Sequence, residues 1–351
     1  MDVGHGVKPF VIKGLEVAPG TRRYVDLPLP QAFGHADLSM PVVVCHGRKP
    51  GPAVFVSAAI HGDEIIGTEI IRRLLEKLRL RRLRGTVVAV PVVNAYGFIS
   101  QQRYLPDRRD LNRCFPGSQG GSLAGRVAHL FLEEIVARCD VGIDLHSGAI
   151  HRDNLAQIRA DLDDPRVKQL AMAFGTPILL NSDVRDGSLR EAVRSEGKPM
   201  LLFEGGEALR LDEASIRAGL QGCLNVLAEL GVVAKRLRHG PESAVARGSR
   251  WLRAPSSGII RSHVALGDRV REGQVLASIA DPTGRNSSEA LSDCDGIVIG
   301  RLNMAVVNEG DAIYHLGYFR SRKRAGEVAG NIEDFDAEIR DTEPGEEFPI
   351  V

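Results

Sequence analysis

The sequence predicts an α/β protein: a mixed, mostly parallel sheet with helices on both faces, followed by a small all-β domain. Three observations carry this. Between residues 46 and 239 short apolar runs alternate with segments of helical periodicity, the pattern of parallel strands joined by crossover helices. From 240 to 320 helical periodicity disappears, and short β runs are separated by glycine turns. At 351 residues the chain is long enough to bury a large core and to hold more than one domain.

The elements follow in order. Residues 1–45 read as short strands with turns that pack on the main domain. PAVFVSAAI is an apolar strand and EIIGTEIIRRLLEKL an amphipathic helix. TVVAVPVV is a strand, AGRVAHLFLEEIVARC a helix and VGIDLH a strand. TPILLN, a helix over 189–196, the strand PMLLFE and a helix over 213–230 complete the domain. In sheets of this kind ligands bind beyond the carboxyl ends of the strands, which places His61, Asn94, His146 and Glu204 on one rim. The β segment holds SGIIRSHVALGDRVREGQVLASI and DGIVIGRLNMAVVNEGD, the form of two barrel-sandwich half-repeats. A carrier domain of that form needs an acceptor lysine, and none occurs between Lys235 and Lys323. The module therefore shapes a cleft entrance or builds a homo-oligomer. Residues 321–351 are acidic, contain few apolar residues and read as a loose tail.

Composition excludes several function classes. Lys+Arg and Asp+Glu balance at 45 each, which argues against a nucleic-acid protein held by phosphate contacts. The basic run KLRLRRLRG suits the end of a helix, where cations meet its dipole. No run of 18 apolar residues is present, so no membrane span is expected. The N-terminus lacks a long apolar core, and the five cysteines are scattered without a CxxC pair. Both point to a reduced, cytoplasmic protein.

The chemistry concentrates at a few junctions. In SAAIHGDEIIG an apolar strand runs directly into His61, Gly62, Asp63 and Glu64. If the helix starts there, His61 and Glu64 share one face of its first turn. They form either an N-terminal cap cluster or two metal ligands. His146, at the end of VGIDLH, supplies a third ligand, and two histidines with a carboxylate and an open position suit catalytic zinc. Asp144 either orients His146 by accepting its second N–H or caps the next loop. RYLPDRRDLNRCFPG is too polar for a core strand. Arg103 and Arg113 there could clamp a carboxylate or carbonyl, with Asn112 adding an amide, or the loop is only a solvated connection. Glu204, in a Gly-rich bend, suits a general base, with Glu207 as second candidate. His129 sits in an amphipathic helix and reads as a packed or surface histidine. GSQGGS lacks the lysine of a phosphate-binding loop.

HGDE, RY…DLNRCFPG, DLHSG and FEGGE, in this order, resemble the succinylglutamate desuccinylase/aspartoacylase family, whose fold is zinc-carboxypeptidase-like. The resemblance covers about residues 46–235 and implies hydrolysis of a small N-acyl amino acid. It implies one zinc ion on His61, Glu64 and His146, with Glu204 as base and Arg103 polarising the scissile carbonyl. It further implies that Asn112 and Arg113 bind the substrate carboxylate. The segment LPDRR lengthens the spacing between RY and DLNR, so Arg108 or Arg109 are alternatives to Arg103. Tyr314 is a further substrate-binding candidate, from the second domain. A metallocarboxypeptidase acting on short peptides, or a non-catalytic binding protein of the same fold, are the rival readings.

Overall fold

The computed structural model describes residues 7–33, 37–182, 185–234, 242–320 and 322–341. Among these residues a 13-stranded sheet runs through the whole molecule. Its centre is parallel: Arg84–Val90, Lys49–Ala58, Val141–Gly148 and Met200–Glu207 lie side by side in that order. Both flanks are antiparallel. Ser39–His46 and Thr21–Pro28 extend one side, while Arg152–Ala160, Gly296–Leu302, Ala312–Tyr318 and Gly248–Arg253 extend the other. A branch off this path is parallel again, with Ile178–Asn181 beside Arg152–Ala160 and Ala244–Ala246 beside Ile178–Asn181.

Period-two alternation distributes the core to two faces. Val54, Val56, Ala58, Ile143 and Leu145 pack against Ile66, Ile70, Ile71 and Leu74 of the helix Ile66–Lys77, and against the helix Glu213–Glu229. Phe55, Val88 and Val90 face the opposite way, toward the helices Leu123–Glu134 and Leu189–Ser195. Phe55 meets Phe131 edge-on, with ring centroids 5.8 Å apart. Gly142 admits this ring, since a Cβ there would stand 2.2 Å from Phe55 Cζ. The five cysteines are free thiols. No helix among the described residues is long and apolar enough to cross a membrane.

Three features refine or add to the expectations. The C-terminal β segment is joined to the main domain through the large sheet. Its second sheet of four strands, Ser287–Leu291, Val275–Ala280, Gly258–Ser262 and Val306–Val307, stands apart. Gly296–Leu302, however, hydrogen-bonds directly to Arg152–Ala160, pairing Gly300 with Asn154. The acidic tail is largely a helix, Arg322–Asp341. Ala325, Val328, Ile332, Phe335 and Ile339 recur at helical spacing and are buried, so periodicity outweighs the polar composition; residues 342–351 lie outside the described set. Finally, a strand, Arg152–Ala160, and a helix, Pro165–Phe174, occupy a stretch that carried no assignment. Asp164 caps that helix through the N–H groups of Arg166 and Val167, with Pro165 at its first position.

Candidate active site

The site lies at the carboxyl ends of three adjacent parallel strands. Ser57 pairs with Asp144, and Glu204 pairs with His146, so four polar side chains start from neighbouring backbone positions. His61 follows three residues after Ala58, through a left-handed residue at Ala59 (φ 52°). Gly62 then presses on the backbone of Gly97, where a Cβ would come within 1.9 Å of a carbonyl carbon. The helix begins only at Ile66, so His61 and Glu64 do not share its first turn. They occupy the tight turn before it, closed by the Glu64 N–H donating to His61 O at 3.1 Å.

Glu64 is the centre of the cluster. Its Oε1 lies 2.7 Å from His61 Nδ1 and its Oε2 lies 2.7 Å from His146 Nδ1. All three side chains are buried, and one donor atom from each lies within 4.8 Å of the others. The second nitrogen of each imidazole also faces a carboxylate: His146 Nε2 lies 2.7 Å from Asp144 Oδ2, and His61 Nε2 lies 3.1 Å from Asp110 Oδ1. Asp144 in turn accepts from Ser57 Oγ at 2.7 Å. Arg103 donates to Glu64 Oε1 at 3.1 Å and to Asp110 Oδ2 at 2.9 Å.

Electrostatics follow from this crowding. Burial lowers the basicity of both histidines, but the carboxylates prevail: Glu64 and Asp110 raise His61, while Asp144 and Glu64 raise His146 well above the usual imidazole value. Burial works against Glu64 and Asp110 too, yet the histidines hold both far below the usual carboxylate range, with Arg103 adding to the effect on Asp110. Three buried or half-buried carboxylates around two imidazoles and one guanidinium form a seat for positive charge. Two nitrogens and one carboxylate, each imidazole backed by a further carboxylate, fit the donor chemistry of a divalent metal such as zinc. Asp144→Asn and Asp110→Asn are each expected to weaken metal affinity about 10–100-fold by loosening an imidazole. Zinc competition with a fluorescent chelator measures it, and unchanged affinity in both variants would refute the assignment.

A cavity of about 270 Å³ opens from this cluster. His61, Glu64, Arg103, Asn112, Arg113, Asp144, His146 and Glu204 all line it. Asn112 Oδ1 accepts from the Leu189 N–H at 2.9 Å, so its amide donors are what it offers the cavity. Glu204 accepts from Asn154 Nδ2 at 2.6 Å and lies 3.4 Å from Arg159. Arg108 and Arg109 do not line the cavity, which leaves Arg103 as the arginine of that loop beside the cluster. Glu207 faces elsewhere, accepting from the His151 N–H and from Asn303 Nδ2. Asn94 is buried and caps the short helix Ala95–Ser100. His129 pairs with Glu133 at 3.2 Å, one turn away on its own helix.

Tyr314 does not reach the site. It is buried in the β module, where its hydroxyl donates to Ser262 Oγ at 2.6 Å. The residue that the module does bring to the cavity is Trp251. Its ring stacks on His315, with centroids 4.6 Å apart and planes 5° apart, and the Arg152 guanidinium lies 4.8 Å from its centre. Burial, with Arg159, Arg152 and Arg185 nearby, pushes His315 down to about 3. Its ordinary value in the unfolded chain is about 6.5, so below that pH the unfolded chain binds a proton that the folded one refuses. Stability from this group is present above about pH 6.5 and drains away as pH falls toward about 3. Between about pH 6.5 and pH 5 the loss approaches about 2 kcal/mol, and His315→Gln should remove it. Urea unfolding of both proteins at the two pH values is the check; identical pH slopes would refute it.

Asp110, Asn154, Arg159 and Trp251 were not singled out in the sequence. Asp110 opens the DLNR motif and had a visible signal; the others sit on strands whose pairing only the fold reveals.

Comparison with known proteins places these features in context. Residues 50–230 match the family described as succinylglutamate desuccinylase/aspartoacylase catalytic domain. The chain is 31% identical over 288 residues to an N-alpha-acetyl-L-2,4-diaminobutyric acid deacetylase of Halomonas elongata, covering 78% of this chain and 84% of that one. Among solved structures, the product-bound ectoine utilization protein EutE of Ruegeria pomeroyi superposes with a TM-score of 0.78 at 23% identity, covering 85% of this chain and 95% of that one. A succinylglutamate desuccinylase/aspartoacylase from Rhodobacter sphaeroides has a TM-score of 0.74 at 28% identity, covering 85% and 96%.

Proposed function

The chain belongs to the succinylglutamate desuccinylase/aspartoacylase family, and from that premise we propose that it is a zinc-dependent deacylase of small N-acyl amino acids. The observation that carries this reading is the cluster of His61, Glu64 and His146 at a sheet rim, with Glu204 in register beside His146.

His61 Nδ1, His146 Nδ1 and the Glu64 carboxylate would hold the metal. Zinc bound by such a donor set acidifies water and polarises a carbonyl at neutral pH. Glu204 takes the proton from the attacking water and returns it to the departing amine nitrogen. Asn154 and Arg159 hold its carboxylate on the cavity side of the strand end. Arg103 offers its guanidinium to the oxygen that gains charge as the amide carbon becomes tetrahedral. Asn112 and Arg113 grip the carboxylate of the amino-acid part, so that the scissile bond is presented to Glu204. The β module, which we read as barrel-sandwich-like, closes the cavity with Trp251 and so limits substrate size. With every cysteine a free thiol, we place the enzyme in the reducing cytoplasm.

Release of free amine from a panel of N-acetyl and N-succinyl amino acids and of dipeptides, with and without chelator, tests this. Chelator-sensitive turnover of acyl amino acids is expected. Turnover of dipeptides alone would move the reading to a carboxypeptidase. Failure of the zinc-reconstituted protein to hold zinc would overturn it.

A further inference from the structure

The strand Arg152–Ala160 carries two partners of Glu204, and they hold it unequally. Asn154 Nδ2 donates to Glu204 Oε2 at 2.6 Å, whereas Arg159 approaches Oε1 only to 3.4 Å. The first is a short hydrogen bond to a carboxylate and the second lies past the usual range, so the Asn154 amide fixes where the carboxylate stands. Asn154 reaches Glu204 diagonally, because the pairing of the two strands shifts between Glu204 opposite Gln157 and Gly206 opposite Asn154. It does so while only 6% exposed, in space that its neighbours must leave open.

On its other side Asn154 stands in register with Gly300, on the strand Gly296–Leu302 of the C-terminal β module. Residues directly opposite each other on adjacent strands send their side chains to the same face. A side chain at 300 would therefore enter the space of the Asn154 amide. A Cβ there would stand 2.8 Å from Asn154 Oδ1, 3.2 Å from His315 Cβ and 3.6 Å from the Asp153 carbonyl oxygen. The first approach is too close for carbon and oxygen, and the amide, at the end of a flexible side chain, is the part that can yield. Gly300 does not take the left-handed backbone that would by itself call for glycine. Space, and not conformation, is what its missing side chain provides.

We propose that Gly300 is a positioning residue for the reaction: it leaves the slot through which Asn154 reaches Glu204. The β module then sets the catalytic base as well as the mouth of the cavity. The proposal rests on the reading of Glu204 as the base and adds the residue that places it.

Four full-length variants test it: Gly300→Ala, Asn154→Ala, the two combined, and Glu204→Gln. A hydrogen bond to a charged group is worth about tenfold or more, so Asn154→Ala and Gly300→Ala are each expected to lower kcat by about that factor, with KM and zinc content near the parent values. The double variant should match Asn154→Ala, since without the amide the added methyl displaces nothing. Losses that multiply to about a hundredfold, a Gly300→Ala enzyme within about twofold of the parent, or a fall in kcat that tracks loss of zinc would each overturn the proposal. If Gly300→Ala alone does not fold, the double variant decides: it should fold and turn over like Asn154→Ala, and failure to do so overturns the slot. If no N-acyl amino acid is cleaved, or Glu204→Gln keeps the parent's activity, the reading of the base fails, and NMR of protein isotope-labelled on asparagine decides the slot alone. The side-chain amide signal missing in Asn154→Ala belongs to Asn154. Its displacement in both Glu204→Gln and Gly300→Ala then supports the slot, and a signal unmoved in Gly300→Ala overturns it.

Discussion

Glu204→Gln is expected to lower kcat for amide hydrolysis by about a thousandfold, within the range of general acid–base catalysis, while zinc content and KM stay near the parent values. The amide is isosteric, so the side chain should remain between Asn154 and Arg159. It cannot accept a proton at neutral pH. Glu204 is not among the three clustered donors, so the change leaves the metal seat intact. Steady-state kinetics with metal analysis on the same sample decides the matter. Activity within tenfold of the parent would exclude Glu204 as the base. Loss of zinc in the variant would mean that the carboxylate belongs to the metal seat.

His146→Ala is expected to abolish both zinc binding and turnover, and to destabilise the metal-free protein as well. The structural reason is local. Glu64 and Asp144 are 2% and 1% exposed, and each has an oxygen 2.7 Å from a His146 nitrogen. Without the imidazole each loses a charged partner inside the fold, an error that costs roughly 3–5 kcal/mol where a buried pair is broken. Metal analysis and urea unfolding of chelator-treated protein separate the two effects. A variant that retains stoichiometric zinc would sink the ligand assignment. One that loses zinc with unchanged stability would show that the carboxylates are solvated in its absence.

Much of the fold was legible because its strands and helices carry their burial in their spacing. AVFV is apolar throughout since it lies at the centre of the sheet, packed on both faces, and IIGTEIIRRLLEK shows one apolar stripe since it packs on one side only. The stretch that failed to read as structure, HRDNLAQIRA, failed because part of it faces the cavity. Its Arg152, Asn154 and Arg159 point into the cavity, so a sheet strand carries polar residues where a core strand would carry apolar ones. The C-terminal helix failed for a different reason: its net composition is polar, and five apolar residues at helical spacing carry the signal.

The candidate site divides in the same way. His61, Glu64, His146, Glu204, Asn112 and Arg113 stand at strand ends or in short motifs, where residue type and local position already suggest chemistry. The position of Arg103, rather than Arg108 or Arg109, beside Glu64, the partnering of His61 by Asp110, and the entry of Trp251 in place of Tyr314 were visible only in three dimensions. The sequence by itself determined the alternation of strand and helix and the residue types at the rim, because periodicity and strand-end position are local properties of the chain. The tertiary structure alone decided which distant cations share one cavity and which carboxylate faces each imidazole. Those relations depend on strand order and register, which join residues as far apart as Glu64 and His146 or Arg152 and Trp251.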